Sequence, residues 1–424
     1  MSFPRYPEYK DSGVEWLGAV PVHWDVKRLK NIASINMGQS PSSDDCTQEE
    51  VGQPFLQGNA DFGENFPTPR SYCAVATKIA NADDILFSVR APVGAINIAD
   101  QAYGIGRGLC AITTAKCSSM RFVFHALHLM KYELFSVATG STYEAVSTDQ
   151  VANAVCFVPP TDEQTKIAAF LDHETAKIDA LVAEQRRLME LLKEKRQAVI
   201  SNAVTRGLNP DAPMKPSGVE WLGEVPEHWD LMATKRLFRL VVEPAPDDND
   251  HELLSIYTEI GVRPRKSLEA KGNKATTTDG YWMVKKGDLI VNKLLAWMGA
   301  IGISDYDGVT SPAYDILRQK IPLKPRFYDF LFRCGILFTE FRRYSRGIMD
   351  MRLRLYFDEL GQLLMPYPPI VEQQEIIEFL QTELAKLDEL GIEAKRAIDL
   401  LQERRTALIS AAVTGQIDVR GITK

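Results

Sequence analysis

In residues 159–205, apolar side chains recur at Ile167, Leu171, Ile178, Leu181, Leu188, Leu192 and Val199, in steps of three, four or seven. That is the period of one face of an α-helix, and neither Pro nor Gly falls between Pro160 and Gly207. The pattern returns in residues 368–414 at Ile376, Leu380, Leu387, Leu390, Leu401 and Leu408, with Ala397 where Leu188 stands and Gly391 inside the run. Each stretch predicts one helix of about 45 residues, a rod of roughly 65–70 Å. Thr161 and Gln164, behind two prolines, fit a capping box at the start of the first. The stretches between read as mixed α/β. The first has strand-like "DDILFSVR" (83–90) and "GLCAITTA" (108–115), then a helical "SSMRFVFHALHLMKYELFS". The second has "YWMVKKGDLIVNKLL" and "AYDILRQ", then "PRFYDFLFRCGILFTEFRRYS". Both run strands, turns, strand, helix, without visible identity.

The helical stretches are copies of one another: at an offset of 209, 24 of 47 positions are identical. A second pair lies upstream of each middle. "SGVEWLGAVPVHWD" (12–25) returns as "SGVEWLGEVPEHWD" (217–230), with 12 of 14 positions identical. Each half of the chain is therefore a Trp-rich lead, a middle and a helical tail. The ends repeat and the middles (about 31–157 and 238–366) do not. A period this long is a duplicated domain pair rather than a solenoid. The segments are 1–158, a first middle with its lead; 159–210, a helix; 211–367, a second middle with its lead; and 368–424, a second helix. The fold class expected is α+β, with two globular α/β domains separated by two long helices and related by a pseudo-two-fold repeat.

Such a long apolar seam needs an equally long partner, and the other copy is the obvious one. Two charged positions fall on the seam as read here, Glu174 and Lys195, repeated as Glu383 and Arg404. Antiparallel packing brings Glu174 to Arg404 and Lys195 to Glu383, whereas parallel packing brings like to like. Seam charges specify orientation, so an antiparallel coiled coil is expected.

The composition, 45% apolar and 25% charged over 424 residues, is that of a globular protein with two to four domains. No run of about 18 apolar residues predicts a membrane span, and "MSFPRYPEYKDSG" lacks the apolar centre of a signal peptide. The six cysteines form no CxxC, which predicts free thiols and a cytoplasmic protein. A net charge of −7 argues against a lone nucleic-acid clamp, yet Pro312–Leu355 holds ten Lys/Arg against four Asp/Glu and could present a local basic face. Catalytic motifs are missing. "YGIGRG" (103–108) lacks the spacing of a dinucleotide loop and reads as a turn, and no GxxxxGK[ST] occurs. "DLIVNK" carries Asn292 where a nuclease would need an acid. His125 and His128 form an HxxH without a zinc protease's Glu and read as packing residues, and His23 and His228 belong to the repeated frame. Trp16, Trp24, Trp221 and Trp229 read as anchors between lead and helix.

A helix opening "PPxxEQ" after each of two dissimilar middles, with "VEWLG.VP.HWD" leading each half, resembles the DNA-specificity subunit of type I restriction-modification systems over nearly the whole chain. "ILFSVRAPVG" (85–94), "GSTYEAVS" (140–147) and the stretch 288–316 share the resemblance. It implies that each middle is a target recognition domain reading one half of a split double-stranded DNA sequence, and that the rods set the spacing. It implies docking of two methylation subunits, with restriction subunits completing the complex. S-adenosylmethionine, ATP and Mg²⁺ would belong to those partners and none to this chain, which would have no catalytic residues and no metal. Arg and Lys pair with guanine in the major groove. The base-reading candidates are Arg90, Arg107, Ser141, Thr142 and Tyr143 in the first middle, and Lys293, Arg346, Arg352 and Arg354 in the second. The alternative is a non-catalytic scaffold whose arms bind proteins without reading DNA.

Overall fold

The computed structural model describes residues 3–14, 18–42, 45–137, 145–267, 278–347 and 353–422. They form two compact units, one of residues 1–185 and 396–424, the other of residues 186–395. Each unit holds one end of each long helix, Thr161–Arg206 and Ile370–Val413.

In the first unit, the lead makes a hairpin of Tyr9–Asp11 with Ala19–Pro21, and the next strand, Asp25–Arg28, pairs antiparallel with Val155–Val158 just before the long helix. Between those strands lies the first middle. A four-stranded antiparallel sheet runs in the order Ile96–Ile98, Ile85–Ser88, Leu109–Thr114, Ala33–Met37. A five-stranded sheet follows the order Cys46–Thr47, Ser71–Cys73, Gln53–Leu56, Tyr103–Ile105, Ile79–Ala80. The helix Met120–Val137 buries Phe122, Val123, Leu127 and Met130 in the same core as Ile85, Phe87 and Ile112.

The second unit repeats the frame. Met214–Pro216 pairs with Glu224–Pro226, and Asp230–Ala233 pairs with Leu364–Tyr367 ahead of the second long helix. Its four-stranded sheet runs Ile301–Ile303, Leu289–Asn292, Tyr314–Gln319, Phe238–Val241. The register matches too. The row Ile98, Ile85, Ile112, Ile35 corresponds to Ile303, Leu289, Leu317, Leu240. The middles thus share a sheet that identity did not reveal, because a sheet asks only for apolar, β-favouring side chains at alternate positions. Each sheet also carries a buried aspartate one residue before its second strand. Asp84 accepts from the Asn81 N–H at 2.7 Å and Asp288 from the Lys285 N–H at 2.8 Å. Around the sheets the units diverge. Two small two-stranded sheets, Leu254–Tyr257 with Gly261–Pro264 and Trp282–Val284 with Gly308–Thr310, stand where the first unit has its five-stranded sheet.

The long helices run antiparallel in each unit. In the first, Ile167, Leu171, Ile178 and Val182 share a core with Leu408, Ile409, Ala412 and Val413. In the second, Ala203 and Val204 share one with Ile376, Ile377, Leu380 and Leu384. The seam departs from the reading above by one residue at every second layer. Burial steps from Leu171 to Thr175, Ile178 and Val182, while Leu181 is 45% exposed. In the second helix it steps from Leu380 to Leu384 and Leu387, then to Ala394, while Leu390 is 53% exposed. Alternating steps of three and four average about 3.5 whichever comes first, so periodicity alone does not choose between the two stripes.

The charges shift with the seam. Glu174 is held by Lys177 at 2.8 Å and Glu383 by Lys386 at 2.6 Å, each within its own helix. The Glu174 carboxyl lies below its ordinary range mainly through Lys177, with Arg404 a smaller contribution. Among the described residues, the ion pairs that cross between the helices are Asp179–Arg405 at 3.0 Å in the first unit and Arg196–Asp388 in the second. These are copies of a single pair, since Asp388 is the repeat of Asp179 and Arg405 the repeat of Arg196. The orientation expected from the charges holds, but Arg405 and Arg196 stand in for Arg404 and Lys195.

Two smaller expectations also change. Gln164 does not close a capping box with Thr161; its amide bonds the Ser119 N–H and the Pro159 carbonyl, and the Thr161 hydroxyl donates to the Cys117 carbonyl. Cys46 and Cys73, opposite each other on neighbouring strands, form a disulfide, leaving Cys110, Cys117, Cys156 and Cys334 as free thiols. No helix among the described residues is long and apolar enough to cross a membrane.

Candidate functional site

Both copies of the phrase "HWD" end at the same structural point. Trp24 is fully buried and its indole N–H donates to Glu163, the glutamate of the first "PPxxEQ", at 3.0 Å. His23 Nε2 lies 2.8 Å from the other oxygen of that carboxylate, and the Tyr6 hydroxyl donates to the same oxygen as Trp24. In the second unit the Trp229 indole donates to Glu372 at 3.0 Å and His228 Nε2 lies 2.7 Å away. A buried indole and a buried carboxylate each demand a partner, and here each supplies the other's. Burial, then the Glu163 carboxylate beside it, pushes the Tyr6 phenol far above its ordinary range, so it stays a proton donor.

The same tryptophans meet the far end of the other helix. The first long helix stops before Gly207 and the second before Gly415, both left-handed, with φ of 76° and 70°. A Cβ on Gly207 would stand 3.3 Å from Trp229, and one on Gly415 would stand 3.1 Å from Trp24 and 2.5 Å from Pro21. Each lead therefore binds the start of one helix and the end of the other. Trp24 and Trp229 are the anchors that the sequence suggested; Trp16 lies outside the described residues, and Trp221 is buried. The carboxylate that receives them was missed, although the repetition of both "HWD" and "EQ" in each half was the signal for it.

The base-reading candidates of the first middle gather on one edge. Strand Ile85–Ser88 ends in a turn where the Ser88 hydroxyl donates to the carbonyls of Arg90 and Pro92, at 2.9 and 3.0 Å, with a cis Ala91–Pro92 peptide. Val89 accepts from the Val146 N–H and donates to the Gly108 carbonyl, both at 2.9 Å, and Arg90 bridges to Ala145. Arg90 and Arg107 are thus drawn together and both are exposed. Arg107 Nε lies 3.4 Å from the Ser40 hydroxyl. Gly38 is needed here, since a Cβ on it would stand 2.1 Å from the Gly106 carbonyl oxygen. Ser141, Thr142 and Tyr143 lie outside the described residues, just ahead of the segment that bridges to Arg90.

The second middle builds the corresponding edge differently. Asn292 ends the equivalent strand, is buried, and accepts from the Leu294 N–H at 3.1 Å, capping the turn as Ser88 does. Next to it the Lys293 carbonyl accepts from the Leu355 N–H at 2.9 Å. Arg346 and Arg354 exchange two backbone hydrogen bonds, of 2.9 and 3.0 Å, and both side chains are exposed. The structure thus assembles Lys293, Arg346 and Arg354 in one place; Arg352 lies outside the described residues. Lys293 itself points inward, its ammonium 3.0 Å from Asp315 and 3.2 Å from the Pro312 carbonyl, and Arg346 is paired with Glu359. Much of the basic stretch is similarly committed. Arg318 bonds Asp288 and Glu243, and Arg326 bonds Asp305 and Asp329. A run of ten cations in sequence therefore makes a much weaker basic face in space than the sequence suggests.

The HxxH motif is structural. His125 is 1% exposed and bonded to Asp172 of the long helix at 2.7 Å, alongside Arg121. His128 Nδ1 bonds the Phe124 carbonyl of its own helix, and burial lowers its pKa to about 4. Despite its burial, the Asp172 carboxyl is brought down to about 2 by its bonds to His125 and Arg121. Among the described residues no group of three or more His, Cys, Asp or Glu could hold a metal ion.

Residues 21–188 match the family described as "Type I restriction modification DNA specificity domain". Among curated proteins, the chain is 34% identical over 201 residues to the putative type I restriction enzyme MjaX specificity subunit of Methanocaldococcus jannaschii. That alignment covers 47% of this chain and about half of the relative, 46%. The type I restriction enzyme EcoBI specificity subunit of Escherichia coli is 22% identical, over 94% of this chain and 88% of that one. The crystal structure of the HsdS subunit from Thermoanaerobacter tengcongensis shares the fold, with a TM-score of 0.52 at 15% identity over 94% of this chain and 98% of that chain.

Proposed function

We propose that this chain, which is homologous to the specificity subunits of type I restriction-modification systems, is the DNA-reading, non-catalytic component of such a complex. Each middle reads one half of a bipartite double-stranded target. The paired helices set the distance between the halves, and the repeated leads and helices give two equivalent docking surfaces for two methylation subunits, with restriction subunits joining them. The observation that carries this reading is the duplication of a residue-level frame, Trp–His–Glu clamp included, around two middles that share a sheet and little else. One partner used twice requires the same frame twice, while two different half-sites require two different edges.

Within each edge, Arg90 and Arg107 in the first unit and Arg354 in the second are the exposed cations best placed to meet base edges, and Ser141, Thr142, Tyr143 and Arg352 belong to the same edges by sequence. Lys293 organises its edge rather than reading bases. The chain's charge of −7 fits a subunit that reads bases while its partners neutralise phosphates. The test is single-molecule methylome sequencing of cells expressing the chain with its methylation subunits. A bipartite methylated motif is expected, and exchange of residues 31–157 for the corresponding middle of a relative should change one half of it. A continuous motif, or a change in both halves together, would overturn the reading.

A further inference from the structure

The glutamine of "PPxxEQ" is as fully used as the glutamate, but in another direction. Gln164 is 1% exposed. Its amide oxygen accepts from the Ser119 N–H at 2.8 Å and its amide nitrogen donates to the Pro159 carbonyl at 2.8 Å. Gln373, fully buried, does the same with the Lys324 N–H and the Pro368 carbonyl, both at 2.8 Å. Ser119 immediately precedes the helix Met120–Val137 of the first middle, and Lys324 immediately precedes the helix Pro325–Phe332 of the second. The middles share no visible sequence, yet each presents one backbone N–H to one amide at the root of the long helix that follows it.

Only an amide fits this position. It must accept on one side and donate on the other, which a carboxylate cannot do and an apolar side chain cannot do at all. An apolar replacement leaves two buried backbone groups facing nothing suitable, and a carboxylate keeps the bond to the N–H but sets an acceptor against the proline carbonyl. Glu163 and Glu372, one residue earlier, bind the lead and not the middle. The two residues divide the work: glutamate joins the lead to the long helix, and glutamine joins the reading domain to it.

We propose that Gln164 and Gln373 are positioning residues for target spacing: each fixes the angle of its reading domain on the long helix and so sets how strictly the complex measures the distance between half-sites. The inference rests on the reading of the middles as half-site readers. One base pair of added spacer moves a half-site by about 3.4 Å and turns it by roughly 35°. A reader fixed at the root of its helix, in addition to the bonds of Thr161 to Cys117 and of Asp172 to Arg121 and His125, resists that displacement more strongly than one without this contact.

The experiment uses the full chain assembled with its methylation subunits. Its bipartite target is first recovered by selection from random DNA. Binding is then measured on that target and on versions with the spacer shortened or lengthened by one base pair. Gln164→Met, and independently Ser119→Pro, which removes the same hydrogen bond from the other side, should reduce the preference for the native spacer on the order of tenfold. The bases preferred in each half-site should stay the same. Thr165→Ala, on the exposed side of the same turn, should leave the spacer preference unchanged. Gln373→Met should reproduce the loss from the other half. Equal weakening on all three spacers in both the Gln164 and Ser119 variants would reduce the glutamine to a stability role and overturn the inference, while recovery of no bipartite target from the unaltered complex would overturn the functional reading beneath it.

Discussion

The two units differ most at the position where their sheets are most alike. Asp84 and Asp288 hold the same place, each buried and each accepting from the backbone three residues upstream. Opposite them stand Thr113, whose hydroxyl donates to Asp84 at 2.6 Å, and Arg318, whose guanidinium grips Asp288 with two bonds of 2.8 Å. The backbone role of the aspartate is common, and its side-chain partner is private to each unit. A fold tolerates such divergence when the shared residue closes a turn and the neighbour only has to satisfy what remains. The frame has no such latitude, because a buried carboxylate that collects an indole and an imidazole leaves few substitutes.

The comparison can be broken most severely at the clamps. Trp24→Ala and Trp229→Ala should each cost about 3–5 kcal/mol, as large-to-small changes at fully buried aromatics do, measured as loss of unfolding free energy in denaturant. The units should then separate on Asp→Asn. Asp288→Asn leaves Arg318 with Glu243 as its remaining charge partner and should cost about 2–3 kcal/mol, the worth of hydrogen bonds to a charged group. Asp84→Asn trades one neutral partner arrangement for another and should cost about 1 kcal/mol. Equal losses would mean that the private partners do not matter.

Acid should also distinguish the units. The ordinary histidine pKa is 6.5 and that of folded His128 is about 4, so the unfolded chain takes up a proton that the folded one refuses. The stability this confers is complete above about 6.5 and is lost as pH falls towards 4, up to about 3 kcal/mol. Asp172, about 2 when folded against an ordinary 3.8, adds a further loss between about 4 and 2. Both residues lie in the first unit, which should open first on acidification, as read by hydrogen exchange of its amides. The smallest effect belongs to the helix pairs. Reversing Arg405 alone or Asp179 alone should cost about 0.5–1 kcal/mol, and reversing both should restore most of it.

Reading the sequence recovered what repeats and what is periodic: the two helices, their antiparallel sense and the strand–strand–helix order of both middles. It placed the crossing cations one residue away, at Lys195 and Arg404, because two stripes with the same average period share every second position, and the crossing acids five residues away, at Glu174 and Glu383. The disulfide was hidden since Cys46 and Cys73 lie 27 residues apart on strands whose pairing no local pattern fixes. Lys293 looked like a free cation because Asp315, its partner, arrives only when the sheet forms. For the same reason Arg318, Arg326 and Arg346 of the basic stretch read as free cations, although folding pairs each with an acid.

The ribbons that close each middle bear on how such chains change over time. In the first unit Arg28 pairs with Val155, and the Leu29 N–H meets the Ala154 carbonyl at 2.9 Å; in the second Ala233 pairs with Leu364. Each middle is therefore a loop tied at its neck. Polymer statistics charge only about 0.6 kcal/mol for each doubling of such a loop. Replacing the contents of a loop with a domain of quite different size can therefore leave the neck, the clamp and the rods undisturbed, so the middles can turn over much faster than the frame that holds them.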